Sequence, residues 1–341
     1  MAGLCSVIAT SHSPLLFIAG EEWGRIRELR GLPGRYAPDA PVDQAEANLA
    51  KHARCVSAFA ELRGQLEKAR PDVLVIFGDD QDEQFGLANM PSVAVYAGEE
   101  FAGYRVSRFE GVPLPGGKRA ERPRTDEHWA TVPGCPSLAR HLVTGLVAAG
   151  FDPAWMLSLP DPEEGMSHAF MRPLHVLRPA CDLATVPVFV NCFYGPQPTA
   201  RRCYQLGRAV RELIESWPED LRVAVIGSGG LWHTPLDEAA TIDEEFDAGI
   251  LAALEAGDAA AMAARFDRGL TADQPPSAAG GTGMTLGYGS GTGETRNWVA
   301  AAAVADGVPG TVVDSMSIWA SPIGVAFAYW SEDKLKEGSV A

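Results

Sequence analysis

Short β-branched runs that stop abruptly in polar or glycine-rich turns constrain this chain most. CSVIAT (5–10), VLVIF (73–77), SVAVYAG (92–98), VPVFVNCF (186–193) and RVAVIGSGG (222–230) are too short for helices and apolar on both alternations. They read as strands covered on both faces. Between them lie helical stretches: 44–69, with Leu49, Ala53, Val56, Ala60 and Leu66 as its apolar stripe behind an Asp43 cap, then 199–216, and a third from Asp237 to about Phe266. Strands alternating with helices of that length predict an α/β fold, a single-domain layered sheet flanked by helices, over residues 1–341. No linker divides the chain into self-sufficient halves. Two segments read as insertions into this core, 20–43 and 99–134, and insertions of that length serve as lids or binding loops as well as surface excursions.

Charge narrows the partners. With 28 Lys and Arg against 44 Asp and Glu, the net charge of −16 opposes binding to nucleic acid or to an anionic membrane surface. A small molecule is the expected partner. No apolar run reaches the length of a membrane span, and the start MAGLCSVIAT lacks a basic leader region, so a cytoplasmic location is expected. The six cysteines form no CxxC pair and read as reduced packing residues. Against the acidic background, Arg105, Arg108, Lys118, Arg119, Arg122 and Arg124 cluster in the second insertion, where they could receive an anionic substrate, meet a partner subunit, or simply be solvated.

Three of the seven histidines fall in short polar stretches at strand or loop boundaries. His12 lies in ATSHSPLL directly after the first strand, and His233 lies in GSGGLWHTP, where glycines let backbone pass close to a ligand. His168 lies in SHAFMRPL. His12 and His233 also have a plain turn-forming reading, as His52, His128, His141 and His175 have a plain packing or surface one. The glycine run ending at Glu294 lacks the GK[ST] of a phosphate loop, and a following helix, TRNWVAAAAVA, begins there. A carboxylate at a helix start suits the helix dipole; turned inward beside two histidines it would complete a facial iron(II) site.

These segments, in order, resemble the class III extradiol ring-cleavage dioxygenases of the protocatechuate 4,5-dioxygenase β-subunit type. TSHSP corresponds to the family's amino-terminal metal-ligand motif, SHAFMRPL to DHGxxxPL, GSGGLWH to GxGGxSH, and Glu294 with Trp298 to a helix-opening glutamate with a tryptophan four residues on. The resemblance implies a non-haem Fe(II) site using His12 and Glu294, acid–base work for His233, substrate contact for His168, and O2-dependent opening of a catechol-type ring. It also implies a homo-oligomer or a partner subunit.

The departures fall in the site. Where the family has the second histidine ligand in a strand-end NDH motif, this chain has Gln81 in VLVIFGDDQDEQF; a carbonyl oxygen holds first-row metals less firmly than imidazole does. Asp79 or Asp80 could supply compensating charge or hold the turn, and Asp80 is a candidate substrate contact. Trp232 stands where a small serine is usual and is expected to narrow the pocket. The missing ligand keeps open a metal-independent acid–base enzyme hydrolysing a C–C or ester bond of a phenolic compound, and a non-catalytic subunit.

Overall fold

The computed structural model describes residues 2–29, 36–37, 39–86, 88–110, 120–233, 240–270 and 291–338. Among these residues ten strands form, β1 (Gly3–Thr10), β2 (Val73–Gly78), β3 (Val93–Tyr96), β4 (Glu100–Tyr104), β5 (Trp129–Pro133), β6 (Ala154–Met156), β7 (Ala184–Val190), β8 (Arg222–Ser228), β9 (Thr311–Ile318) and β10 (Ile323–Trp330). Eight make one sheet in the order β6-β3-β7-β2-β8-β1-β10-β9, while β4 and β5 pair separately. The four central strands β7, β2, β8 and β1 run parallel, with β3 antiparallel to β7 and β10 antiparallel to β1. Their carboxyl ends therefore open on one side of the sheet, where ligands of open α/β sheets bind.

The expected strands are present, and their unalternating sequences have a simple cause: both faces are covered. On one face Val7, Ala9, Val73, Val75, Phe77, Val223 and Val225 pack against α3 (Pro136–Ala148), α5 (Ala200–Ser216), α6 (Glu244–Glu255), α7 (Ala259–Leu270) and α8 (Thr295–Val304). On the other, Ile8, Leu74, Ile76, Ala224 and Ile226 meet α1 (Trp23–Leu29), α2 (Ala45–Ala69) and α4 (His168–Leu177). A short α9 (Glu332–Gly338) ends the described chain. Helix α8 is buried on every side, between the sheet and α5 and α7, which explains its run of alanines.

Three readings need correction. The 44–69 helix exists, but Leu49 and Val56 are exposed; the inward face is Cys55, Ala58, Phe59, Leu62, Leu66 and Ala69. Asp43 does not cap it: Gln44 is the N-cap residue, while Asp43 pairs with Lys51 and accepts the Trp319 N–H. The third helix is two, because Gly257 adopts φ +73 at the end of α6 and Asp258 caps α7 through the Ala261 N–H. Asp237, Lys118, Arg119 and residues 279–290 of the glycine run lie outside the described residues. Strands β9 and β10 escape sequence reading because Ser, Asp, Met and Ala dilute their β-branched content.

The insertion 99–134 supplies the β4–β5 pair, and 20–43 supplies α1. All six cysteines are free. Among the described residues, no helix is long and apolar enough to cross a membrane.

Candidate active site and metal centre

Three strand ends and one helix start meet at the carboxyl edge of the sheet. His12 follows β1 by two residues, Asp79 follows β2 directly, Ser228 ends β8, and Glu294 sits at the N-cap of α8. Helix α8 packs on β8, β1 and β2, which carries Glu294 to the central strands. Its carboxylate reaches inward because residue 229 is glycine: at φ +118, a Cβ there would overlap the Glu294 side chain. The Gly230 N–H donates to Glu294 Oε2 at 3.2 Å.

His12, Asp79 and Glu294 are all buried, and one ligand-type atom from each lies within 4.8 Å of the others. His12 Nε2 is 3.4 Å from Glu294 Oε2 and 4.0 Å from Asp79 Oδ1. The tautomer follows from the other ring nitrogen. His12 Nδ1 lies 2.7 Å from Ser228 Oγ, and that hydroxyl gives its only hydrogen to the Ala169 carbonyl at 2.6 Å. Nδ1 must then carry the donating hydrogen, which leaves the Nε2 lone pair aimed at the carboxylates. Burial, then the nearby Arg172, lower His12 to about 4 against the pull of Asp79 and Glu83, so this imidazole is neutral at pH 7.

Burial also raises both acids. Asp79 rises to about 6, with Glu294 adding to the effect of burial, and Glu294 rises to about 7 although His168, the Gly230 N–H and Arg172 favour its ionised form. Asp79 Oδ1 has no hydrogen-bond partner. A lone pair and two carboxylates facing one point is a donor set for a divalent cation, and one nitrogen with two carboxylates suits first-row metals as well as harder ions.

Gln81 lies beside this group. Its Nε2 is 3.2 Å from Asp79 Oδ2 and 3.0 Å from Glu294 Oε1, so the amide bridges the two acids as a donor and its carbonyl oxygen is turned from them. The position expected to supply a third ligand is thus occupied by a clamp, and Asp79 is the third ligand-type group.

His168 opens α4 and meets the His12 ring edge-on, with centroids 4.9 Å apart. Its Nδ1 donates to Glu83 Oε1 at 2.7 Å, leaving Nε2 for the cavity. Burial alone would raise Glu83, but the His168 charge and hydrogen bonds from His168 and the Ser167 hydroxyl outweigh it and hold the carboxyl at about 2. His233 is partly buried; its backbone N–H donates to Thr292 Oγ1 at 2.8 Å, and a Cβ at Gly291, where φ is +83, would overlap its ring.

A cavity of about 570 Å³ opens over these groups, lined by His12, Gln81, Glu83, His168, Arg172, His233 and Glu294. The insertion 99–134 forms much of its wall through Tyr104, Val106, Ser107, Arg108, Phe109 and Arg122. The expected basic cluster is engaged within the protein: Arg108 pairs with Glu121 and Glu164 and Arg124 with Glu163, while Arg105 donates to the Asp126 and Pro179 carbonyls and Arg122 to the Ser107 carbonyl.

Two expected substrate contacts lie elsewhere. Trp232 packs edge-on against Phe246 in the core with its Nε1 donating to the Thr241 carbonyl, and it does not line the cavity. Asp80 is buried and accepts the backbone N–H groups of Glu83, Gln84 and Phe85, which shapes the turn that presents its neighbours. Sequence reading missed Glu83, Ser228 and Arg172. The acidic string DDQDE directly after a central strand was the available signal for Glu83.

Residues 40–320 match the family described as the catalytic LigB subunit of aromatic ring-opening dioxygenase. A gallate dioxygenase of Pseudomonas putida is 42% identical over 106 residues, 30% of this chain and 29% of that protein. A 2,3-dihydroxyphenylpropionate/2,3-dihydroxicinnamic acid 1,2-dioxygenase of Photorhabdus laumondii is 30% identical over 250 residues, 72% of this chain and 62% of that protein. The chain thus matches less than two thirds of either relative's own length. A crystal structure of an uncharacterized protein from Escherichia coli K12 overlays 95% of this chain and 99% of its own, with a TM-score of 0.48 and 13% identity. With residues 40–320 matched, the chain belongs to the family of catalytic LigB subunits of aromatic ring-opening dioxygenases.

Proposed function

We propose that this protein is an extradiol dioxygenase that opens the ring of a catechol-type aromatic with O2, using Fe(II) held by His12 Nε2, Asp79 and Glu294. The observation that carries the reading is the convergence of those three ligand-type groups beside a cavity that His168 and His233 also line. The relatives' names support it, since gallate and 2,3-dihydroxyphenylpropionate both carry adjacent ring hydroxyls.

When bound, the metal supplies a Lewis-acid centre for the diol and a redox partner for oxygen. The chain's own residues do the rest. Ser228 fixes the His12 tautomer, and Gln81 holds the two carboxylates in register. His233 takes a proton from a diol hydroxyl, a task suited to an imidazole whose ordinary pKa lies near neutrality. His168, oriented by Glu83, hydrogen-bonds the bound diol through Nε2. The 99–134 wall shields the reacting ring from water. Free cysteines suit a reducing compartment, consistent with a cytoplasmic enzyme.

The test is protein prepared without air, loaded with Fe(II), and assayed for metal content and for oxygen uptake with a panel of catechols. Stoichiometric iron, uptake abolished by a chelator, and loss of turnover in His233→Ala with an unchanged melting curve are expected. Activity that survives both chelation and the absence of oxygen would replace this reading with acid–base hydrolysis.

A further inference from the structure

We propose that Arg172 anchors a carboxylate carried by the aromatic substrate, so that the cavity selects diol acids over neutral diols. This rests on the ring-cleaving reading and narrows its substrate.

Arg172 lies four residues after His168 on α4, on the same face, and both line the cavity. It is 7% exposed. Its Nε donates to the Val106 carbonyl at 2.9 Å and Nη1 to the His12 carbonyl at 3.2 Å. Among the described residues Nη2 has no acceptor, and no carboxylate oxygen lies within 4.0 Å of the guanidinium. A buried cation without a counter-anion is costly, and two carbonyls satisfy only part of a five-donor fork.

The nearby acids are otherwise engaged. Gln81 bridges Asp79 and Glu294, which also face His12 as the cation's ligands, and Glu83 is held by His168 and Ser167. A filled metal site therefore leaves Arg172 as the deeply buried cavity-lining cation without a carboxylate partner; Arg122, also on the wall but less buried, donates to the Ser107 carbonyl. The other deeply buried guanidinium, Arg296, is held in the same way, 4.5 Å over the Phe266 ring and on the Pro198 and Gly293 carbonyls, as Arg172 lies 5.9 Å over Phe17, but Arg296 does not line the cavity. Arg108 on the cavity wall already has Glu121 and Glu164.

A carboxylate matches what Arg172 lacks, because its two oxygens can take two of the three remaining hydrogens of a planar fork. The cavity of about 570 Å³ has room for a single-ring acid. The contact to the His12 carbonyl sets the guanidinium next to the loop that carries a metal ligand, so the same molecule can present its hydroxyls to the metal and its carboxylate to Arg172.

The test is binding to the iron-loaded enzyme without oxygen, using 3,4-dihydroxybenzoate, its methyl ester and benzoate, on wild type, Arg172→Gln and Arg172→Lys. Wild type should bind the diol acid about 10- to 100-fold more tightly than the ester, the range of one charge-assisted contact. Arg172→Gln should bring the two within about twofold by weakening only the acid, and Arg172→Lys should keep part of the preference. Equal binding of acid and ester by wild type overturns the proposal, as does equal weakening of both in Arg172→Gln, which would make Arg172 only a clamp between His12 and Val106. If Arg172→Gln does not fold, the wild-type preference and Arg172→Lys decide. Oxygen uptake that treats acids and neutral diols alike would leave the dioxygenase reading standing and sink this one. Arg172-dependent binding of benzoate by a protein that binds neither diol would do the reverse, and absence of all binding removes both.

Discussion

Asp79→Asn separates a metal ligand from a structural acid by the sign of its effect. Burial, then Glu294, push the Asp79 carboxyl from 3.8 to about 6. A pKa raised in the folded state is a cost that is absent below the unfolded value and fully present above the folded one. At about 1.4 kcal/mol per pH unit, the ionised carboxylate destabilises the metal-free fold by up to about 3 kcal/mol at pH 7.5 and by almost nothing near pH 4. Asparagine has the same shape and keeps an acceptor for Gln81 Nε2, so it removes the charge with little repacking. Chelator-treated Asp79→Asn should therefore outlast wild type in urea at pH 7.5, by about 1–3 kcal/mol, with the gap closing as pH falls through 6 towards 4. The same variant should bind Fe(II) more than about 100-fold more weakly by anaerobic titration, since even residues that only support a ligand contribute 10- to 100-fold. A variant less stable than wild type at pH 7.5 with undiminished metal affinity would refute the assignment and return Asp79 to the turn.

Two further outcomes follow from the supporting contacts. Ser228→Ala removes the acceptor that fixes His12 Nδ1–H and should weaken metal binding about 10- to 100-fold in a chelator competition, with the sheet intact because Ser228 ends its strand. Glu83→Gln removes an anion held at about 2, whose stabilisation is present above 4.5 and lost as pH falls through 2. The variant should be less stable than wild type at neutral pH, converge with it in strong acid, and show a shifted pH profile for turnover as His168 loses its charged partner.

Much of the architecture was legible before any coordinates. Apolar runs without alternation, such as VLVIF and RVAVIG, mean strands covered on both sides, and the structure has helices on both faces of that sheet. His12 and Glu294 stood out because one follows a strand and the other opens a helix, and the fold brings them within 3.4 Å. Side-chain direction was harder. The apolar stripe assigned to α2 began at Leu49, whereas the buried face runs through Cys55, Phe59, Leu62 and Leu66; the helix carries enough alanine that two faces looked alike.

The sequence by itself determined the layered α/β class, the strands of the sheet's centre and the family motifs, because these depend on local periodicity and on short spacings along the chain. Tertiary structure alone decided which residues after β2 face the candidate metal site. That turn is set partly from outside: the Ser167 hydroxyl lies 2.9 Å from the Asp79 carbonyl, while within the turn the Asp80 carboxylate gathers three backbone N–H groups. Those contacts turn Asp79 towards His12 and the Gln81 amide across the acids. Trp232 is held in the core by Asp247 and the Thr241 carbonyl, and the His12 and Val106 carbonyls hold a buried arginine beside an open cavity. The partners that decide the site, Ser167 for Asp79, Glu294 for Gln81 and His12 for Arg172, lie 88 to 213 residues away, and no local pattern encodes a partner at that distance.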